Sequence, residues 1–149
     1  MIINSTRLGE IEISEREVIN FPEGLPGFPQ EKAFALLPYK SESPFFFLQS
    51  LTDPDLTFLL AEPFSFFPNY EFEIDDQTIA NLELSDKNTP EVYVIITFPA
   101  KVENMTANLL APLVITRQSR KGKQIVLERT EYTTRHKLFK KIDTAEVGK

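Results

Sequence analysis

The sequence predicts an all-β fold, mainly antiparallel, of the sandwich or barrel kind, with one or two short helices. Three observations carry this. Phenylalanine is abundant, with 13 copies among 149 residues, and aromatic and β-branched residues favour strands. Prolines number 11 and glycines only 5. The prolines at 22, 38, 44, 54, 63, 68, 90, 99 and 112 cut the chain into short apolar runs, a spacing suited to many short strands.

Taken in order, Glu10-Ile11-Glu12-Ile13 alternates polar and apolar, the pattern of a strand with one wet face. Val18–Phe21 follows it. Ala33–Leu37, Phe45–Gln49, Leu56–Ala61 and Val92–Phe98 are almost wholly apolar, as expected of strands covered on both faces. Tyr70-Glu71-Phe72-Glu73-Ile74 alternates again and reads as a strand with Tyr70, Phe72 and Ile74 inward. Asp75 or Asp76 can cap the free amides of a helix whose Ile79 and Leu82 share a face. A second short helix is expected around Thr106–Leu110. Leu113–Arg117 and Gln124–Glu128 flank Ser119–Lys123, which reads as a hairpin with a basic tip and Gly122 supplying the turn conformation. Arg135–Lys149 reads as a last short element and a frayed tail. No repeat or linker interrupts the chain, so residues 1–149 read as a single domain.

Composition excludes several kinds of chemistry. The absence of cysteine removes disulfides, thiolate metal sites and cysteine nucleophiles. The one histidine, His136, is too few for the usual zinc site, and no serine stands in a G-x-S-x-G setting. Gly24 and Gly27 lie in a Pro-Gly segment without the Lys-Ser/Thr of a phosphate cradle. No cofactor is expected. Neither a signal peptide nor a membrane-length apolar run is visible, so the expectation is a cytoplasmic protein that does not engage membranes.

Charge is unevenly spread. Residues 1–116 carry 6 Lys/Arg against 18 Asp/Glu, a net of −12, and residues 117–149 carry 10 against 4, a net of +6. The body should repel nucleic-acid phosphates and attract a basic partner. The aromatic segment Phe64-Ser65-Phe66-Phe67-Pro68-Asn69-Tyr70 precedes a run of carboxylates. Folded inward, it is core. Exposed, it offers Phe66, Phe67 and Tyr70 as apolar anchors inside a charged rim of Glu71, Glu73, Asp75 and Asp76, a landing site for a partner with a basic border. Two other classes compete. A carboxylate-based hydrolase would pair Asp53 with Asp55, or Glu71 or Glu73 with Asp75 or Asp76, although these read more simply as turn, strand face and helix cap. A single-strand RNA-binding module would use the Phe-rich strands and the basic tip at Arg120–Lys123.

Several stretches, in order, make the chain resemble the FliW family of flagellar assembly factors: Phe21-Pro22-Glu23-Gly24-Leu25-Pro26-Gly27-Phe28, Pro44-Phe45-Phe46-Phe47-Leu48-Gln49-Ser50, Leu59-Leu60-Ala61-Glu62-Pro63, Asn108–Ile115, Gln124–Leu127 and Tyr132–Leu138. Phe47 departs from the family pattern, which more often has Trp or Tyr there. The resemblance implies a pseudo-barrel of antiparallel strands and a non-enzymatic task. It implies a protein that binds flagellin and also the RNA-binding translational repressor CsrA, the carbon storage regulator; by itself the chain is expected to be monomeric. Free of flagellin, such a factor sequesters CsrA, and flagellin translation resumes. Occupied by flagellin, it releases the repressor. The antagonism is implied to act allosterically or electrostatically rather than by covering the RNA-contacting residues.

Overall fold

A computed structural model describes residues 1–128 and 130–139. The expected frayed tail therefore lies largely outside the described residues. Eleven strands are described: β1 Ile2–Ser5, β2 Gly9–Glu12, β3 Val18–Asn20, β4 Ala33–Pro38, β5 Phe45–Ser50, β6 Thr57–Ala61, β7 Glu91–Thr97, β8 Thr106–Ala107, β9 Leu113–Thr116, β10 Lys121–Gln124 and β11 His136–Lys137. Among the described residues there is one α-helix, α1, spanning Asp76–Asn81. Three 3-10 turns stand at Glu15–Glu17, Pro63–Ser65 and Val102–Asn104.

Strand β7 explains the architecture. Along one edge it pairs with β6. Along the other, its first half pairs with β9 (Glu91↔Ile115, Tyr93↔Leu113) and its second half with β8 (Ile96↔Ala107). The ladder β7-β6-β5-β4-β3-β10-β9 thus returns to β7 and closes a seven-stranded barrel, while β8 and β11 peel away as a flap. All pairings are antiparallel except β10 with β3. The β1–β2 hairpin forms a separate two-stranded sheet.

The apolar runs are two-sided because two cores share the same strands. Alternate residues point into the barrel: Phe34 and Leu36 of β4, Leu48 of β5, Leu60 of β6, Tyr93 of β7 and Ile115 of β9, with Ile19 and Phe21. The intervening residues Ala61, Val94 and Ile96 point outward into a second cluster with Met105, Leu109, Leu138 and the 64–72 segment. A period of two with apolar residues in both phases therefore reads as an unbroken run. The hairpin covers a third, smaller cluster of Ile3, Ile13 and Ala35.

Four expectations are corrected. Tyr70–Ile74 keeps its alternation, with Tyr70 buried and Glu71 and Glu73 exposed, but it joins no ladder. Thr106–Leu110 begins with strand β8, not a helix, because Ala107 and Leu109 alternate into the second core. The basic hairpin turns earlier: Lys121 pairs with Thr116, and Arg120 takes the left-handed conformation at φ 54°. Gly122 lies within β10, where a Cβ would sit 2.6 Å from the Phe21 ring. In α1, Leu82 just beyond the helix is buried beside Thr78, whereas Ile79 is exposed.

Candidate functional site

The aromatic segment folds onto the barrel. Pro63 opens a 3-10 turn, its carbonyl accepts from the amides of Phe66 and Phe67, and the chain reverses so that Tyr70 drives into the second core. Tyr70 is only 4 % exposed. Its hydroxyl donates to the Leu109 carbonyl at 2.7 Å, and its ring meets Tyr132 edge-on at 4.7 Å. Burial, and then the neighbouring Tyr132, push its phenol well above the ordinary tyrosine value. Tyr70 is thus a pillar of the core and not an exposed anchor. Phe66 and Phe67 are half-buried, packed on the same cluster, with Phe66 against Phe45 and Phe139 and Phe67 against His136. Phe64 is the aromatic of the segment that stands half exposed.

The carboxylates are where the alternation places them. Once Tyr70 is fixed inward, Glu71 and Glu73 must face solvent, and the Glu71 amide donates to the Tyr132 hydroxyl at 3.2 Å, holding the chain extended. Asp75 caps α1, accepting from the Thr78 amide at 3.3 Å, and Asp76 begins the helix on the surface. Alongside runs the segment after β10, held by the Ile125 amide on the Pro112 carbonyl and the Leu127 amide on the Leu110 carbonyl, both at 2.9 Å. Between the two segments lies an open groove of about 530 Å³. Its walls bring Glu71, Glu73 and Asp75 together with Glu128, and its apolar lining comes from Phe72, Ile125, Leu127 and Val126, the last of which is 58 % exposed. No lysine or arginine lines it among the described residues.

Of the four carboxylates that line the groove, Glu71, Glu73 and Asp75 are among those singled out from sequence, whereas Glu128 is not, nor are the lining residues Phe72 and Val126. The signal for Val126 was present: it is the out-of-phase apolar residue of Gln124–Glu128. Asp76 lies beside the groove but does not line it.

The other candidate sites resolve into local structure. Asp53 accepts from the Asp55 amide at 2.9 Å, an Asx turn. Around the basic hairpin, Arg117 pairs with Glu91 at 2.8 Å, Lys121 with Glu83 and Lys123 with Glu23 at 3.5 Å, and Arg120 donates to the Glu15 carbonyl at 3.0 Å. The cations read as a nucleic-acid tip are matched within the chain. No cluster of three or more metal-ligating side chains forms among the described residues, and no helix is long and apolar enough to cross a membrane.

Two buried polar residues that the sequence did not single out organise the frame. The Gln49 amide donates to the carbonyls of Ser50, Asp53 and Pro54 and accepts from the Thr57 hydroxyl, fixing the β5–β6 turn. Asn88 donates to the carbonyls of Leu82 and Glu83 and accepts from the Thr116 hydroxyl, tying the end of α1 to the barrel.

The sequence and the fold match those of known proteins. The FliW protein family model matches residues 2–138. A flagellar assembly factor FliW of Desulfitobacterium hafniense is 52 % identical over 139 residues, covering 93 % of this chain and 91 % of the relative. One of Geobacillus kaustophilus is 47 % identical over 131 residues, covering 88 % and 90 %. A crystal structure of the flagellar assembly factor FliW superposes with a TM-score of 0.84 at 43 % identity, covering 93 % of this chain and 97 % of that one. With the match spanning the whole described barrel and its flap, the chain belongs to the FliW family.

Proposed function

We propose that this protein is a flagellar assembly factor that acts by binding other proteins: it binds flagellin and, when free of it, binds and antagonises the translational repressor CsrA, so that flagellin supply governs flagellin translation. The observation that carries the CsrA half of this reading is the acidic groove. Four carboxylates, Glu71, Glu73, Asp75 and Glu128, border the apolar Phe72 and Val126. A protein with a basic border and an apolar centre fits such a surface, and the exposed apolar residue supplies the desolvated contact that a charged rim alone lacks. Among the originally expected anchors, Tyr70 gives way to Phe72 and Val126, and Phe66 and Phe67 support the segment from behind.

The charge of the body supplies a mechanism for the antagonism. A protein of net charge −6, with four carboxylates gathered in one groove, held beside an RNA-binding surface lowers the local concentration of phosphate and weakens RNA binding without covering the RNA-contacting residues. It also speeds encounter with a basic protein. Inhibition of RNA binding should then weaken with added salt by more than the loss of complex accounts for; an inhibition constant that follows complex formation alone would remove the field from the mechanism.

The test of the partner switch is calorimetric titration of the protein with purified CsrA, repeated with flagellin present. The expected result is a saturable complex with CsrA that flagellin abolishes. Absence of binding to both proteins would overturn the reading.

A further inference from the structure

A second groove, of about 610 Å³, shares no lining residue with the acidic one and has the opposite chemistry. Its floor is the outer face of β5, β6 and β7, where Phe45, Phe47, Leu59 and Ile96 stand side by side across paired strands. Its walls are Tyr39, Phe98 and Val102, each more than half exposed. Contiguous apolar side chains left this open on a small protein mark an interaction surface.

Two observations define what the groove would take. The first is the state of the backbone. Strand β5 is bonded to β4 and β6, β6 to β5 and β7, and Ile96 of β7 lies between Leu59 and Ala107. The floor therefore offers no free strand edge, so an extended peptide cannot add to the sheet there, and recognition has to come from side chains. An amphipathic helix, with an apolar stripe at i, i+3, i+4 and i+7, meets that requirement. The second is charge. Among the described residues Arg7 is the only charged one in the lining, and no carboxylate lines it. Arg7 sits on the β1–β2 turn, whose position is set by the Thr6 amide on the Pro54 carbonyl at 2.9 Å and the Thr6 hydroxyl on Asp55. Among the described residues no carboxylate forms an ion pair with Arg7. On a body so rich in carboxylates, a cation placed at an otherwise apolar groove selects a partner carboxylate.

We propose that this groove is a docking site, separate from the acidic groove, for an amphipathic helix of a partner protein that lies apolar stripe down with a carboxylate against Arg7. The inference goes beyond the flagellin and CsrA reading and stands without either partner's name.

The probe is a synthetic stapled helix bearing a leucine stripe flanked by glutamates, with two controls: the same residues scrambled, and lysines replacing the glutamates. Fluorescence anisotropy with the full chain should show binding of the first peptide alone. Phe98→Asp, an exposed position, should weaken it by about tenfold or more. Arg7→Glu should weaken the glutamate peptide and transfer preference to the lysine peptide, while the Glu71→Lys/Glu73→Lys double variant leaves affinity unchanged. Circular dichroism of each variant checks the fold. Equal binding of the scrambled peptide, no binding of the glutamate peptide, or an unaltered charge preference in Arg7→Glu would overturn the proposal. Sedimentation of the protein as a dimer that Phe98→Asp dissociates would also overturn it, assigning the groove to a second copy.

Discussion

At Gly122 an added methyl would meet the Phe21 ring at 2.6 and 2.8 Å and Ile115 at 3.2 Å. Phe21 is fully buried and packs edge-on against Phe34, so it has nowhere to go. Gly122→Ala should therefore cost about 1–3 kcal/mol, read as a lower urea midpoint at unchanged slope. This glycine shows how residue-scale reading from sequence fails: among basic neighbours it looks like a turn glycine, and only the ring behind it gives its reason. Two tyrosines make a second prediction at this scale. Burial raises the phenol of Tyr70, and burial followed by the Glu91 hydrogen bond raises that of Tyr93, both from an ordinary 10.0. In the unfolded chain each would ionise near 10.0, so above that pH the unfolded state holds fewer protons than the native one. Their contribution to stability is complete below pH 10 and drains away as pH rises beyond it. Alkaline titration followed by tyrosinate absorbance and circular dichroism should show these two ionising together with unfolding; their ionisation in a still-folded chain would contradict the account.

At the scale of elements, strands β4 to β7 were legible because their side chains are apolar in both phases, and β2 because only one phase is. The capped start of α1 was legible from Asp75. What was not legible depended on partners far along the chain. Tyr70–Ile74 has a strand's alternation, yet its backbone neighbour is a tyrosine hydroxyl, 61 positions away, and not another strand. In 106–110 the alternation is only Ala107 and Leu109, too short to tell a strand from a helix by period, and only Thr106 and Ala107 pair before the chain turns. The same reason hid the groove: Glu128 and Val126 meet Glu71–Asp75 only through the docking of residues 125–127 on 110–112. For α1, Asp75→Ala removes the acceptor for the Thr78 amide and should destabilise the protein by about 0.5–1 kcal/mol, the low end for a cap because this one is exposed. Thermal unfolding measures it, and Asp75→Asn, which keeps a side-chain acceptor for that amide, should retain most of the stability.

On the scale of the whole molecule, charge and fold act together. Closure of the barrel through β7 leaves the flap of β8 and β11 and the segment 64–72 to cover the outward-facing residues, so the sheet carries two cores, and the surface carries two grooves of opposite character. The charge asymmetry was legible, but its meaning was not fully so: several basic residues after 116 return to carboxylates of the body at Glu91, Glu83 and Glu23. These exposed pairs contribute little stability, and among the described residues no cation lines the acidic groove. The Glu71→Lys/Glu73→Lys double variant should therefore fold with an unchanged melting temperature to within a few degrees and lose about tenfold or more in affinity for CsrA, mainly through slower association.

The most direct measurement is calorimetric titration of CsrA into the unaltered protein and into that double variant, side by side at low and at physiological salt. The account predicts a saturable complex with the unaltered protein, weakened by salt, and a loss of affinity in the variant that shrinks as salt rises. Equal affinity of the two proteins at both salt concentrations would contradict the placement of the repressor on the acidic groove.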